Sequence, residues 1–538
     1  ARVRRAFVAA GDGVQLAADH ARLVDAVLAG AMDFAERRVY PIANPTRGEE
    51  LALLAVGGYG RSELAPHSDI DILILHPYKP TPHHEQMAEF LLYRLWDLGL
   101  KVGQSTRSLN ESVKLGKSDF TIRTTLLETR PIWGSERLAQ ELEERVRAEI
   151  CHRTESDYIE AKLAERDARH QRMGDSRYLL EPNVKEGKGG LRDLQTLVWL
   201  ARHIYDTRSW SDLVHHDVLT RSGLNSFLKA RRFLWTVRCH LHYMTGRAEE
   251  RLTFDLQPQV ARAMGYRDRA RSSGVERFMK RYYLAAKEVG TLTRTVCAAL
   301  EEQFKHKPRF VLPRFGPSKR RINGFVVQGT RLTLDDPELF AKRPLAMLEY
   351  FQIAQTRELD YHPTALKALS RNLRHVDQVL RDDPEANRLF LAMLTSAKDP
   401  ALTLTRMNEA GLLGRFVPEF GRVVALMQHS LDHVYTVDEH TIRVIDDLHN
   451  IEVGGLEAQL PLSTRIMPQL TSRTALYVAA CLPDIGKGRG GNPREIGEAI
   501  ALTLAPRFGL GDAATETVAW LVRHHLVMSH FAFRRDTE

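Results

Sequence analysis

Apolar residues recur at helical spacing over residues 14–38 (Val14, Leu16, Leu23, Val24, Val27, Leu28), predicting a helix that ends in a charged stretch before Pro41, Pro45 and Gly48. Two short apolar runs, Leu51–Val56 and Ile70–Leu75, then read as strands separated by a Gly/Ser/Pro segment. An amphipathic helical stretch follows from about Glu85 to Leu98, and this alternation predicts an α/β domain. From about 150 to 305 the pattern is helical and rich in charge. It is broken once, over 181–190, where Pro182 and three glycines within ten residues, Gly187, Gly189 and Gly190, exclude a regular helix. Residues 306–335 place Pro308, Pro313, Pro317, Gly324 and Gly329 around strand-like Phe325-Val326-Val327 and Leu332-Thr333-Leu334, predicting a small β excursion, and helical pattern then resumes to the end. No internal repeat or low-complexity tract is visible.

Composition narrows the class. A chain of 538 residues, 43% hydrophobic and 27% charged, has the balance of a folded protein of roughly three or four domains. No apolar run approaches the roughly 20 residues a membrane span needs, so no membrane crossing is expected. The net charge of +8 suits a phosphate-bearing ligand or an acidic partner and is weak support for nucleic acid. Cys151, Cys239, Cys297 and Cys481 lie far apart with no C-x-x-C pair, indicating neither a zinc cage nor a disulfide framework and pointing to a reducing cytoplasm. The basic start Ala1 to Arg5 has no long apolar stretch behind it, so no export signal is expected.

The first chemistry-bearing string is Val56-Gly57-Gly58-Tyr59-Gly60-Arg61-Ser62-Glu63-Leu64, leading to Ser68-Asp69-Ile70-Asp71 at the head of the second strand. Alternate strand residues share a face, so Asp69 and Asp71 project together while Ile70 and Ile72 enter the core. Two converging carboxylates call for a cation, and hard oxygen ligands suit Mg²⁺ (or Mn²⁺) carrying a nucleotide triphosphate. Gly57 and Gly58 would leave backbone N–H groups open beside the phosphates, and Ser68 adds a hydroxyl. Asp69 and Asp71 are therefore the candidate catalytic metal ligands, and Gly57, Gly58, Arg61 and Ser68 candidate nucleotide contacts. The string resembles the nucleotidyltransferase head of the DNA polymerase β superfamily. That resemblance implies a third carboxylate on a later strand, but Lys101 to Arg107 contains none and Glu128 is a weak substitute.

A second string, Glu181 to Gln195, sets Lys185, Lys188 and Arg192 around glycines at a helix start, where backbone N–H groups and basic side chains favour a phosphate. It resembles the helical domain behind the catalytic head in the PII uridylyltransferase/uridylyl-removing enzyme family of bacterial nitrogen regulation. The head string matches that family as well, as do Met427 to Thr441 and Trp520 to Ser529, spreading the resemblance over nearly the whole chain. It implies an α+β fold with a nucleotidyltransferase head over 41–150 behind an N-terminal helical segment (1–40), and a helical domain over 151–305. After the excursion at 306–335 it implies a helical connector over 336–425 and an all-α HD-type domain over 426–538. It also implies transfer of UMP from UTP to a tyrosine of the PII signalling protein, with release of pyrophosphate.

HD-class phosphohydrolases gather His and Asp side chains from several helices around metal ions. The resemblance implies His440, Asp484, His524 and His525 as ligands of a second divalent metal, with Asp536 as a further candidate. The chain departs from the pattern. Pro483 stands where the name-giving histidine is expected, and Asn492-Pro493-Arg494 where Asp-His-Ser is usual, so impaired or absent hydrolase activity is expected. The family's glutamine-sensing ACT domains do not fit in the length remaining. Two other readings stay open: a non-catalytic PII-docking regulator, against which Asp69 and Asp71 speak, and an RNA-directed nucleotidyltransferase. The second lacks the aromatic-interleaved basic strip that single-stranded RNA binding prefers, so no nucleic acid partner is expected.

Overall fold

The computed structural model describes residues 2–174, 176–207, 209–216, 218–269, 272–304, 321–427 and 435–534. Among these, the chain divides into two compact bodies. The first takes residues 1–177, 181–265 and 288–307, and the second takes 178–180, 266–287 and 308–538. Residues 151–305, expected as one helical domain, thus fall partly in each.

The first body is built on a four-stranded sheet of order β3-β2-β1-β4. Its strands are β1 (Ala52–Ala55), β2 (Ile70–His76), β3 (Val102–Ser108) and β4 (Arg130–Gly134). β1 pairs antiparallel with β2 and β4, and β2 runs parallel to β3. The parallel pair needs a crossover, which helix Pro82–Asp97 supplies. Thr81 caps its start with Pro82 at the first helical position. At its end Leu100 N–H bonds to the Leu95 carbonyl (3.0 Å) and Gly99 N–H to Trp96 (2.8 Å). The chain then enters β3, with Lys101 accepting from Ile70 N–H at 2.9 Å.

Both sheet faces are covered. Ile70, Ile72 and Ile74 pack with Leu28 and Met32 of helix Gly13–Phe34 and with Met87, Leu91 and Leu95 of the crossover. Leu73 and Leu75 pack on the other face with Leu109, Val113, Leu138 and Leu142. Burying each isoleucine contributes about 1.5–3 kcal/mol. A one-residue slip would expose all three at once, so the register of β2, and with it the direction of Asp71, is fixed by the core.

The second body carries a small sheet of order β5-β6-β7-β8: β5 (Arg321–Ile322), β6 (Phe325–Gln328), β7 (Arg331–Leu334) and β8 (Asp360–Tyr361). The expected β excursion holds three of these strands. The fourth, two residues paired parallel with β7, is too short for any apolar alternation to signal. Helices Val437–Glu452, Arg473–Cys481, Pro493–Arg507 and Asp512–His524 follow, sharing one core that includes Phe390, Phe416, Phe508 and Val522. The four cysteines are buried and unbridged. Among the described residues no helix is long and apolar enough to cross a membrane.

Candidate functional site

Asp69 is exposed and Asp71 half-buried at the head of β2, on the face opposite Ile70 and Ile72, which are 2% and 1% exposed. The Asp71 carboxyl is raised from its ordinary range, first by burial and then by the Asp69 charge, while Lys185 acts in the opposite sense. The two carboxylates are thus close enough to repel, and a cation from the second string lies close enough to relieve them.

Asp71 sits in a cradle. In register it faces Gly103 on β3, where a Cβ would come within 2.3 Å of Asp71 Oδ1. On the other side Gly57 opens the single helical turn Gly57–Gly60 at φ +58°, and a Cβ there would lie 3.4 Å from Asp71 Oδ2. Only glycine adopts that φ without strain. No side chain caps this turn. The donor set is carboxylate and hydroxyl oxygen, mutually repelling and held in a cleft lined by backbone, so these residues fit a hard divalent cation. Among the described residues no third acidic or imidazole group joins them.

Glu128, the weak substitute for a third carboxylate, is committed elsewhere. It is 2% exposed, pairs with Arg61 and accepts from Trp199 Nε1. Arg61 in turn bonds Glu63 (2.8 Å), which Arg231 also holds (2.7 Å). Arg61 was expected at the nucleotide. The structure places its guanidinium buried between two carboxylates, where charge and hydrogen bonds are satisfied internally.

The second string is likewise bonded within itself. Asn183 Oδ1 accepts the N–H groups of Lys185 (3.0 Å) and Glu186 (2.7 Å). The Val184 carbonyl takes Leu191 N–H, the Lys185 carbonyl takes Arg192 N–H, and Asp193 Oδ2 takes Gly189 N–H. The leading N–H groups of helix Leu191–Tyr205 are therefore spent inside the loop and form no open phosphate nest. Arg192 bonds Glu186 (2.9 Å) and Gln195 (2.8 Å) and lies over Trp199, so it too is a framework residue. Lys188 is half-buried in the same loop. Lys185 alone among the three is shown acting electrostatically on Asp71.

Sequence reasoning missed Arg238, His242 and Glu250. Arg238 Nε and Nη2 bond the Glu250 carboxylate (3.0 and 2.7 Å), and Nη2 reaches Ser68 Oγ at 3.5 Å. His242 Nδ1–H donates to the Pro66 carbonyl, and its Nε2 lies 3.5 Å from Glu250. Burial works against the Glu250 charge, but His242 and Arg238 outweigh it and hold the carboxyl near about 2. The available signal was a set of charged residues within the apolar stripe of helix Arg221–Thr245, where Arg238 lies among buried Leu234, Val237 and Leu241.

In the second body a cavity of about 800 Å³ is lined by His440, Asp447, Asp484, Lys487 and His525 beside aliphatic side chains such as Leu448 and Leu476. His524 is not among its lining residues and packs on Trp520, ring centroids 5.0 Å apart. Asp536 lies outside the described residues, as does most of the segment between Met427 and Tyr435. Asp484 is paired with Lys487 (2.9 Å), and His525 Nε2 stands 3.8 Å away while its Nδ1–H donates to the Val522 carbonyl (2.7 Å). Among the described residues no group of three or more His, Cys, Asp or Glu is placed to hold a metal. The metal-ligand roles expected for His440, Asp484, His524 and His525 do not fit this geometry. An ammonium group already neutralises the Asp484 carboxylate, and Pro483 and Pro493 offer no donor.

Residues 157–297 match the family model described as GlnD PII-uridylyltransferase, and residues 325–416 match the uridylyltransferase GlnD third domain. The chain is 52% identical over 540 aligned residues to a bifunctional uridylyltransferase/uridylyl-removing enzyme of Azospirillum brasilense. It is 50% identical over 539 residues to one from Rhodospirillum rubrum. In both cases all of this chain is matched, and it spans 58% of the relative's length.

Proposed function

The chain belongs to the family of bifunctional uridylyltransferase/uridylyl-removing enzymes, and from that premise we propose that its first body transfers UMP from UTP to a tyrosine of a PII signalling protein. The observation that carries this is the Asp69 and Asp71 pair, cradled by Gly57 and Gly103 with Lys185 close by. In the reaction the tyrosine oxygen forms a bond to the α-phosphorus as the bond to the bridging oxygen of the β-phosphate breaks. Pyrophosphate leaves with the electron pair, and the phenolic proton passes to solvent.

Asp69 and Asp71 would hold Mg²⁺ or Mn²⁺, which when bound offsets phosphate charge and lowers the barrier to attack. Ser68 Oγ, reached by Arg238, presents a hydroxyl next to Asp69. Lys185 supplies positive charge at the same place, where a triphosphate brings negative charge. The uncapped turn at Gly57 and Gly58 gives backbone room for the phosphates to approach. The second body, with Lys487 on Asp484 and prolines at two expected ligand positions, lacks metal-dependent uridylyl removal on this reading.

Intact-mass measurement of a PII protein incubated with this chain, Mg²⁺ and UTP tests the transfer. A UMP-sized gain is expected with the wild-type chain and none with Asp71→Asn. No gain with a folded, UTP-binding wild-type chain would defeat the proposal.

A further inference from the structure

Glu250 joins the two strings that the transferase reading brings together. Its backbone carbonyl accepts Val184 N–H (2.8 Å), pinning the loop that carries Lys185, and its carboxylate stands 3.9 Å from Lys185 Nζ. The same carboxylate takes a two-nitrogen fork from Arg238, whose Nη2 continues to Ser68 Oγ at 3.5 Å. It also faces His242, which holds the Pro66 carbonyl two residues before Ser68. Its side chain is 16% exposed, and those of Arg238 and His242 are 7% and 0% exposed.

Two long cationic side chains left to themselves would sample many rotamers, and each would be drawn onto the nearby Asp69 and Asp71. A buried carboxylate between them fixes both directions and balances part of their charge, leaving the aspartates available. Resting on the transferase reading, we propose that Glu250 is a positioning residue for the nucleotide: it holds Lys185 and Arg238 at the triphosphate and, through Arg238 and His242, anchors the Pro66–Ser68 segment that delivers Asp69. Glu250 touches no reacting atom and acts only through these neighbours.

The test uses the full chain with UTP and Mg²⁺, comparing wild type, Glu250→Gln, Lys185→Ala, the double variant and Arg238→Lys. Glu250→Gln keeps the shape and removes the charge. It should raise KM for UTP about tenfold while kcat falls less than about threefold, since a charge-assisted contact to the ground-state triphosphate is weakened. Because Glu250 acts in part through Lys185, the double variant should lose clearly less than the product of the two single losses, the remainder passing through Arg238. Arg238→Lys keeps the charge and loses the fork, and should repeat the KM rise if the Gln variant does not fold. An unchanged KM in Glu250→Gln, or losses that multiply in the double variant, would overturn the assignment.

UTP binding by calorimetry separates this from failure of the transferase reading. If the wild-type chain binds UTP but modifies no acceptor, the transfer fails and the variants' UTP dissociation constants decide the role of Glu250: a rise supports it and no change overturns it. If the wild-type chain does not bind UTP, both fall together.

Discussion

At the scale of single residues, the first body relies on buried charges held by opposite charges, and Glu63 shows what this means for pH. Burial opposes its ionisation, but Arg61 and Arg231 outweigh burial and hold its carboxyl near about 2, against an ordinary glutamate value of about 4.3. A depressed carboxyl adds stability that is fully present above its ordinary value and is lost as pH falls from there through the folded value. Among the described residues, Glu63→Gln leaves Arg231 without its ion-pair partner and Arg61 paired with Glu128. It should lower unfolding free energy at pH 7 by about 3 kcal/mol, the lower end for breaking a buried pair. Urea unfolding at stepped pH should show the gap between variant and wild type constant above about pH 5 and narrowing below it. A gap that stays constant on acidification would mean that Glu63 is not held ionised by the two arginines.

At the scale of elements, β3 has a task separate from its contribution to the sheet. It is an edge strand with half-exposed side chains, and its Gly103 leaves space for the Asp71 carboxylate. In Gly103→Ala the new methyl would stand 2.3 Å from Asp71 Oδ1, so the carboxylate must turn away. UMP transfer should fall about a hundredfold, the order expected for an ångström-scale misplacement of a reacting group. The melting temperature should move little, because the strand is peripheral. A wild-type rate in this variant would show that transfer does not depend on where Asp71 points. The first two strands, the crossover helix and the alternation that sets Asp71 against Ile70 and Ile72 were legible because a period of two is written locally there, whereas β4 (Arg130–Gly134) carries no such signal and was not read. Gly103 was not, because its purpose appears only when the parallel register sets it opposite Asp71. The internal bonding of the 181–193 loop was hidden for a related reason. Its glycines and lysines look like a phosphate nest, yet Asn183 and Asp193 turn inward and take up the N–H groups. Glu250, Arg238 and His242 read as ordinary charges on and after a helix until burial gave them meaning.

At the scale of the whole molecule, the two bodies stand differently against the pattern that the family resemblance implies. The first carries the paired carboxylates, while the second has a cavity with Pro483, Asn492 and Pro493 at positions where ligands are expected and Lys487 on Asp484. On the proposed reading these departures do not act independently, so reversing one should not restore the site. In Pro483→His the new imidazole would face an aspartate already neutralised by Lys487, with Asn492 still unable to supply a carboxylate and Pro493 still unable to supply nitrogen. Ligands for a catalytic metal act as a set, with affinity set by the number and charge of donors that converge. Incubating uridylylated PII with the Pro483→His chain and Mn²⁺ or Mg²⁺ should therefore release UMP no faster than the wild-type chain. A variant carrying Pro483→His, Asn492→Asp and Pro493→His together is the form expected to recover measurable release. Full recovery in the single variant would instead show that Lys487 yields Asp484 to an incoming metal, and that one missing histidine accounts for the whole defect.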